Sequence, residues 1–211
     1  MKRSEEMLQE IDDTYFFRTA SGRLVDLNAP TLDDIIISDA AHQLSLVNRF
    51  NGATIEGRHW SVAAHSLLVA ALVDDVDAYG YALGHDLAEA WVQDIVSPLK
   101  KLIEKVAGFD VIGIISEKFE AKVHEKFNLP HPVPEYLKKC VKRADILAYE
   151  IEKAMFTRAD NARKDLGPII ADPTIQQILQ LVGDAKASEE WFAGALLDLE
   201  ARNTPSIRMI A

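Results

Sequence analysis

The stretch His85-Asp-Leu-Ala-Glu-Ala-Trp-Val-Gln-Asp94 joins a His-Asp pair to two further carboxylates. His65 stands 20 residues before His85, and Asp145 stands 59 residues after Asp86. Imidazole nitrogens and carboxylate oxygens are the mixture of donors that holds borderline divalent transition metals. Four such groups leave coordination positions for water and a substrate oxygen, and a metal with open positions activates water and neutralises phosphoryl charge. The ordered set of His65, His85, Asp86 and Asp145 therefore predicts metal-assisted hydrolysis.

The pattern of apolar residues in the rest of the chain predicts a short hairpin followed by a series of helices. A hairpin is predicted across residues 15–27, where apolar residues flank the turn pair Ser21-Gly22. The pair Ser97-Pro98 is predicted to break the chain. Helical periodicity predicts helices over Asp39–Phe50, Ser61–Val76, Tyr79–Ile95, Phe109–Phe127, Pro134–Thr157, Thr174–Val182 and Ser188–Ala201. We therefore expect an all-α fold: one helical bundle with a short N-terminal hairpin over residues 14–211, preceded by a polar extension over residues 1–13.

Composition narrows the class of protein. The chain has 211 residues, 48% of them hydrophobic and 27% charged, which fits one globular domain. A net charge of -10 argues against nucleic-acid polymers and anionic membranes as main partners, although a pocket can be locally basic. The single cysteine, Cys140, permits no internal disulfide. No signal-peptide pattern or long apolar run is present, so we expect a cytoplasmic protein without membrane contact.

Charged residues around the His-Asp pair supply further candidates. Glu89 follows Asp86 by three residues, close enough on a helix to reach a metal-bound water, and Asp94 lies about two turns beyond Asp86. Arg49 and Lys100 are predicted to reach the same rim, where they could offset the charge of a phosphate. Surface carboxylates and solvated cations remain the alternative readings of these four residues.

The chain resembles the HD-domain phosphohydrolases in four segments, which together extend the likeness from about Tyr15 to Leu199. These segments are Ser38-Asp-Ala-Ala-His-Gln-Leu-Ser with Asn48-Arg-Phe-Asn-Gly, Trp60-Ser-Val-Ala-Ala-His-Ser-Leu-Leu-Val-Ala, His85 to Lys100, and Ala144-Asp-Ile-Leu-Ala. The likeness is strongest to the small single-domain branch that contains bacterial deoxyribonucleoside 5′-monophosphatases and phage deoxynucleoside triphosphohydrolases. The resemblance implies the HD-domain fold and a homodimer.

The resemblance also implies roles for individual residues. His65, His85, Asp86 and Asp145 match the ligands of one divalent ion, whether Co²⁺, Mn²⁺, Zn²⁺, Fe²⁺ or Mg²⁺. Glu89 and Asp94 match the catalytic carboxylates that handle the water and the leaving oxygen. Arg49 and Lys100 match phosphate-binding cations, and Phe50 matches an aromatic residue beside the sugar. An apolar ring there would leave a ribose 2′-hydroxyl unpaired, which costs binding free energy.

Three functions follow from the resemblance and from these residues. The first is hydrolysis of the 5′-phosphate ester of a (deoxy)nucleotide, which releases a nucleoside and phosphate. The second is a deoxynucleoside triphosphohydrolase, for which Arg58, His59, Lys101 and Lys105 are candidate contacts to a longer phosphate tail. The third, from another class, is a non-catalytic nucleotide sensor that keeps a metal for structure. Turnover distinguishes the third from the first two.

Overall fold

The structure is a computed structural model that describes residues 15–159, 163 and 165–203. The N-terminal extension expected over residues 1–13 lies outside the described residues, as do residues 14 and 204–211 of the expected domain. The described chain is mostly helical with one small sheet, so the expectation of an all-α class is confirmed.

The predicted N-terminal hairpin is confirmed. Strands β1 (Phe16–Arg18) and β2 (Leu24–Asp26) pair antiparallel, and Gly22 takes a positive φ of 89° in the turn between them. The carboxylate of Asp39 accepts hydrogen bonds from the Thr19 hydroxyl and from both the backbone N–H and the hydroxyl of Ser21. A buried carboxylate is tolerated when it is hydrogen-bonded in this way, so Asp39 fixes the hairpin against the first helix.

Ten α-helices follow the hairpin in the described residues, with short 3₁₀ turns at Leu32–Asp34, Arg49–Gly52, Ile55–Gly57 and Val76–Ala78. The helices are α1 (Ile37–Leu46), α2 (Val62–Leu72), α3 (Tyr79–Gly84), α4 (Glu89–Val92), α5 (Ser97–Ala107), α6 (Val111–Lys126), α7 (Glu135–Phe156), α8 (Gly167–Ile170), α9 (Pro173–Leu179) and α10 (Ala185–Asn203).

Helix α2 lies at the centre of the bundle and packs against α1, α3, α7, α9 and α10. Its sequence is almost wholly apolar, and a helix that is hydrophobic on all sides is stable only when it is surrounded. Val62, Leu68 and Val69 are buried in the core, each worth roughly 1.5–3 kcal/mol of burial free energy. His65 lies on the same helix and is fully buried, so the core itself carries a candidate ligand.

Helix α1 ends at Leu46, and the prediction that it continues to Phe50 is wrong. Asn48 forms an antiparallel bridge with Ser61, which requires extended backbone immediately after the helix. Phe50 and Asn51 then adopt left-handed conformations with φ of 56° and 51°. Non-glycine residues enter this region at a cost, so tertiary contacts at this turn override the helical pattern of the sequence.

The helix predicted over Tyr79–Ile95 divides into α3 and α4, and residues 85–88 form turns between them. Ser97-Pro98 does interrupt the chain, but it also begins α5, which the sequence analysis missed. Proline suits the first turn of a helix because it has no N–H to satisfy there. The short helix α8 was also missed, and it too has a proline in its first turn, in the pair Gly167-Pro168.

The apolar stretch Trp191-Phe-Ala-Gly-Ala-Leu-Leu of α10 contributes both to the core and to the exposed surface. Phe192 and Leu196 are fully buried in the core, whereas Trp191 and Leu197 are exposed. Within the described ranges, no helix has both the length and the apolar character that crossing a bilayer requires.

Candidate metal centre

His65 is placed by a well-formed helix start. The Ser61 hydroxyl caps α2 by accepting a hydrogen bond from the N–H of Ala64 at 3.1 Å. His65 follows within the first turn, and its Nδ1 lies 2.6 Å from Oε1 of Glu152 on α7. A carboxylate can only accept a hydrogen bond, so Nδ1 carries a proton and Nε2 faces the neighbouring side chains.

The bridge that ends α1 also places Arg49 in the site. The N–H of Arg49 donates to the carbonyl of Trp60 at 2.9 Å, and the N–H of Val62 donates to the carbonyl of Val47 at 3.0 Å. These bonds hold the Arg49 turn against the start of α2. The guanidinium reaches Oε2 of Glu152 through Nε at 3.0 Å.

The His85-Asp86 pair lies in the tightened turns between α3 and α4. The N–H of Leu87 donates to the carbonyl of Gly84, and that of Glu89 donates to the carbonyl of Asp86, each at 3.0 Å. Such i to i+3 bonds bring side chains three apart nearly into line, which places Glu89 beneath Asp86. His85 donates from Nδ1 to the carbonyl of Ala82 at 2.7 Å, so its Nε2 also faces the site.

The three other predicted ligands each lie within 3.5 Å of Nε2 of His65. Nε2 of His65 lies 3.3 Å from Nε2 of His85, 3.5 Å from Oδ2 of Asp86 and 3.5 Å from Oδ1 of Asp145, while His85 Nε2 lies 3.2 Å from Asp86 Oδ2. Ligands at right angles around a typical transition metal are about 3 Å apart. His65, His85 and Asp145 thus form a group that could hold a metal ion, and Asp86 borders it.

The two carboxylates of the predicted ligand set are held in their ionised form by their neighbours. Burial alone would raise the pKa of Asp86, but His85, His65 and Arg49 hold it well below its usual range. Burial is likewise outweighed at Asp145, where hydrogen bonds from His65 and Lys142 keep the pKa low. These ionised carboxylates favour positive charge between them, which is the electrostatic requirement of a cation site.

Glu89 and Asp94 differ from the four predicted ligands in their electrostatics. Burial, together with the negative charges of Asp86 and Asp94, raises the pKa of Glu89 to about 9, although Lys100 lies 3.3 Å away and opposes the shift. Burial also raises the pKa of Asp94. Oε2 of Glu89 is buried and has no hydrogen-bond partner among the described protein atoms. A buried oxygen of this kind marks a place for a water or a ligand.

These groups line one cavity of about 680 Å³. The structure brings together on its wall Arg49, Phe50, Asp86, Glu89, Asp94, Lys100 and Asp145, while His65 and His85 lie behind Asp86. The cations considered for a longer phosphate tail do not line it. Arg58 pairs with Glu56, and His59 Nε2 bonds the Ser45 carbonyl at 2.6 Å. Lys101 and Lys105 of α5 are also absent from the described lining.

Sequence reasoning missed three residues of α7 at this site. Glu152 is fully buried beside His65 and Arg49, Lys142 lies 2.8 Å from Asp145, and the Tyr149 ring centroid lies 5.9 Å from that of Phe50. Their spacing around Asp145 is the signal that was available. Residues three, four and seven positions apart share a face of a helix, so Asp145 as a ligand places Lys142, Tyr149 and Glu152 on the site.

A second pair of histidines lies outside the cavity. Nδ1 of His124 on α6 is 2.9 Å from Nδ1 of His131, and His131 Nε2 is 3.2 Å from Glu117. Burial and the neighbouring His131 lower the pKa of His124 to about 4. Neither histidine lines the cavity.

The fold and the site define a helical protein with a candidate His/Asp metal centre. No protein-family model matches the chain. It is 36% identical over 154 residues to an uncharacterized protein of Rhodobacter capsulatus, a match that covers 70% of this chain and 76% of that relative. It is also 36% identical over 138 residues to the uncharacterized protein YfdR of Escherichia coli K12, covering 65% of this chain and 70% of YfdR. The chain belongs to the family of these two bacterial proteins.

Proposed function

We propose that this protein is a metal-dependent phosphohydrolase of the HD-domain type, which hydrolyses the 5′-phosphate ester of (deoxy)nucleotides to a nucleoside and phosphate. One observation carries the proposal: Asp86 and Asp145 line one cavity together with two further carboxylates and three cations, and both histidines lie within 3.5 Å of Asp86. The donor set fits one divalent transition metal, with two imidazole nitrogens and two carboxylates. When bound, such an ion supplies Lewis-acid polarisation of a phosphoryl oxygen and of water.

The protein's own residues divide the remaining work. Arg49 and Lys100 stabilise the charge that moves onto the phosphoryl oxygens in the transition state. Glu89 and Asp94 exchange protons with the attacking water and the departing 5′ oxygen. The pKa of Glu89, about 9, supports an acid role, because a carboxyl group that keeps its proton near neutral pH can donate it. Burial raises the pKa of Asp94 in the same direction.

The cavity also has apolar lining residues that suit the organic part of a nucleotide. These residues are Phe50, Ile95, Val96, Pro98, Ile146 and Tyr149. Phe50 and Tyr149 present two tilted rings, and aromatic faces stack nucleobases without strong preference for one base. Phe50 would lie beside the sugar, where its ring gives a 2′-hydroxyl no partner and thereby favours deoxyribose.

The cations that line the cavity support a monophosphate as the substrate. Among the described residues that line the cavity, the cations are Arg49, Lys100 and Lys142. Arg58, His59, Lys101 and Lys105 lie elsewhere, which favours the monophosphate over the triphosphate as substrate.

The unpaired oxygen of Glu89 supports an enzyme rather than a nucleotide sensor, since a purely structural metal has no need of it. The lone Cys140 is free, as suits the reducing cytoplasm.

The decisive experiment measures phosphate and nucleoside release from ribo- and deoxynucleoside mono-, di- and triphosphates. Each reaction contains Co²⁺, Mn²⁺, Zn²⁺ or Mg²⁺. We expect metal-dependent release of phosphate, fastest from deoxynucleoside monophosphates, and loss of activity in Asp145→Asn. Asp198→Asn, an exposed carboxylate of α10, is the matched control and should keep full activity. Release of triphosphate would instead identify a deoxynucleoside triphosphohydrolase. Nucleotide binding without turnover under every metal would identify a non-catalytic nucleotide sensor.

A further inference from the structure

Glu152 connects two parts of the site that are otherwise separate. Its Oε1 lies 2.6 Å from Nδ1 of His65, and its Oε2 lies 3.0 Å from Nε of Arg49. The carboxylate itself is fully buried in α7. One side chain therefore holds a candidate metal ligand with one oxygen and the phosphate-binding arginine with the other.

The contacts of Glu152 show how both of its oxygens are used. Nδ1 of His65 and Nε of Arg49 are N–H donors, so Glu152 accepts a hydrogen bond at each oxygen. Breaking a buried pair strands its partner, whereas apolar residues of similar volume could fill the same space at little or no loss of stability. Stability alone therefore does not account for a carboxylate at this position.

We propose that Glu152 is a positioning residue that aims His65 and Arg49 at the same bound phosphate. Its bond to Nδ1 fixes the tautomer and plane of His65 with Nε2 toward the metal, as carboxylate partners of ligand histidines do. Its bond to Nε leaves the terminal nitrogens of Arg49 for the cavity, where Nη1 already lies 3.6 Å from Asp86. The metal half of this proposal stands on the centre alone, and the phosphate half rests on the proposed function.

A glutamine at this position separates the two tasks. The amide of Glu152→Gln has nearly the same shape but only one oxygen, so it can accept from His65 or from Arg49 and not from both. Its NH₂ group would then face a donor. Glu150→Gln is the matched control, since Glu150 lies on the same helix and pairs with Lys153 at 3.1 Å, away from the cavity lining.

The test titrates the metal-free full chain with Co²⁺ and follows the visible absorption of the bound ion. Inorganic phosphate is then added to the Co²⁺-loaded protein as the second probe. We expect Glu152→Gln to weaken Co²⁺ binding by about 10–100-fold and to change the Co²⁺ spectrum. Phosphate binding should weaken as well, and Glu150→Gln should match the wild type in every measurement.

Each outcome decides the proposal. Wild-type Co²⁺ affinity and spectrum in folded Glu152→Gln would overturn the metal half, and a lowered melting temperature with unchanged affinity would assign Glu152 a structural role only. Unchanged phosphate binding would overturn the Arg49 half. Neither titration depends on turnover, so failure of the proposed hydrolase would not be mistaken for failure here.

A second variant covers the case in which Glu152→Gln does not fold. Glu152→Asp keeps both oxygens but withdraws them by one methylene. It should weaken Co²⁺ binding about tenfold, against no change in Glu150→Asp. Unaltered Co²⁺ affinity in Glu152→Asp would overturn the proposal.

Discussion

Metal binding at the candidate centre should raise the melting temperature of the protein, and Asp86→Asn should remove most of that rise. Nε2 of His65 lies 3.3–3.5 Å from a ligand atom of each of the other three predicted ligands, and Nε2 of His85 lies 3.2 Å from Asp86. Metal binding therefore requires little rearrangement. His65, the His85-Asp86 pair and Asp145 are distant from one another in the sequence, so an unfolded chain does not present all four ligands together. The ion therefore binds the native state selectively.

The size of the effect follows from mass action. At a free metal concentration 100 times Kd, binding stabilises the native state by about 2.7 kcal/mol. One kcal/mol shifts the melting temperature of a chain of this length by about 2–4 °C, so the expected rise is roughly 5–11 °C. If loss of the Asp86 carboxylate weakens binding about 100-fold, the same metal concentration contributes only about 0.4 kcal/mol, or a shift of about 1–2 °C.

The assay is thermal unfolding followed by circular dichroism, with Mn²⁺ or with a chelator. Asp198→Asn should keep the full metal-induced rise. The reasoning is refuted if Asp86→Asn keeps that rise too, because the stabilising ion would then be bound elsewhere. His131→Ala identifies one such alternative, since it removes half of the His124–His131 pair.

Three other predictions concern packing, pH and substrate. A Cβ at Gly80 would lie 3.1 Å from a Leu199 methyl, whereas one at Gly84 would meet nothing closer than 3.5 Å. Both substitutions gain about 1 kcal/mol of helix propensity, but only the alanine at position 80 is crowded by Leu199. In urea unfolding, the free energy of unfolding of Gly84→Ala should therefore exceed that of Gly80→Ala by about 1–2 kcal/mol. Equal values for the two variants would contradict the packing argument. The folded pKa of His124, about 4, lies below its ordinary 6.5, so its contribution is complete above pH 6.5 and is lost as pH falls toward 4. Between those pH values the wild type should lose about 2 kcal/mol more stability than His124→Gln, after a discount for solvent screening, and parallel curves would refute the shift. Tyr149→Ala should raise KM for deoxynucleoside monophosphates about tenfold with little change in kcat, because stacking of a base on the ring is worth roughly 1–3 kcal/mol. The control is Tyr136→Ala, which removes an exposed ring and should leave KM unchanged.

Local patterns predicted the elements whose stability is local. The hairpin depends on a turn pair between apolar runs, and α7 depends on a proline start followed by an unbroken helical period, so both were predicted closely. The ends of α1 and the division at residues 85–88 were not predicted. The bridge between Asn48 and Ser61 ends α1 through a partner 13 residues away, which propensity does not register.

The candidate site was predicted through the types and order of its residues rather than through its geometry. His65, His85, Asp86 and Asp145 share a donor chemistry that can be read along the chain. Glu152 carries no such signal, because a glutamate in a helix is more often a solvated residue than a buried one. Only the contact between α2 and α7 gives it a role.

Helix α7 also limits how this site can change in evolution. Asp145, Tyr149 and Glu152 lie on one face of a continuous helix, and each residue of a helix is rotated by 100° from the last. A single inserted or deleted residue between positions 145 and 152 would turn Glu152 away from His65 while leaving the helix itself intact. Length variation among relatives should therefore be confined to loops such as the one between α6 and α7, and substitutions rather than insertions should account for differences in substrate.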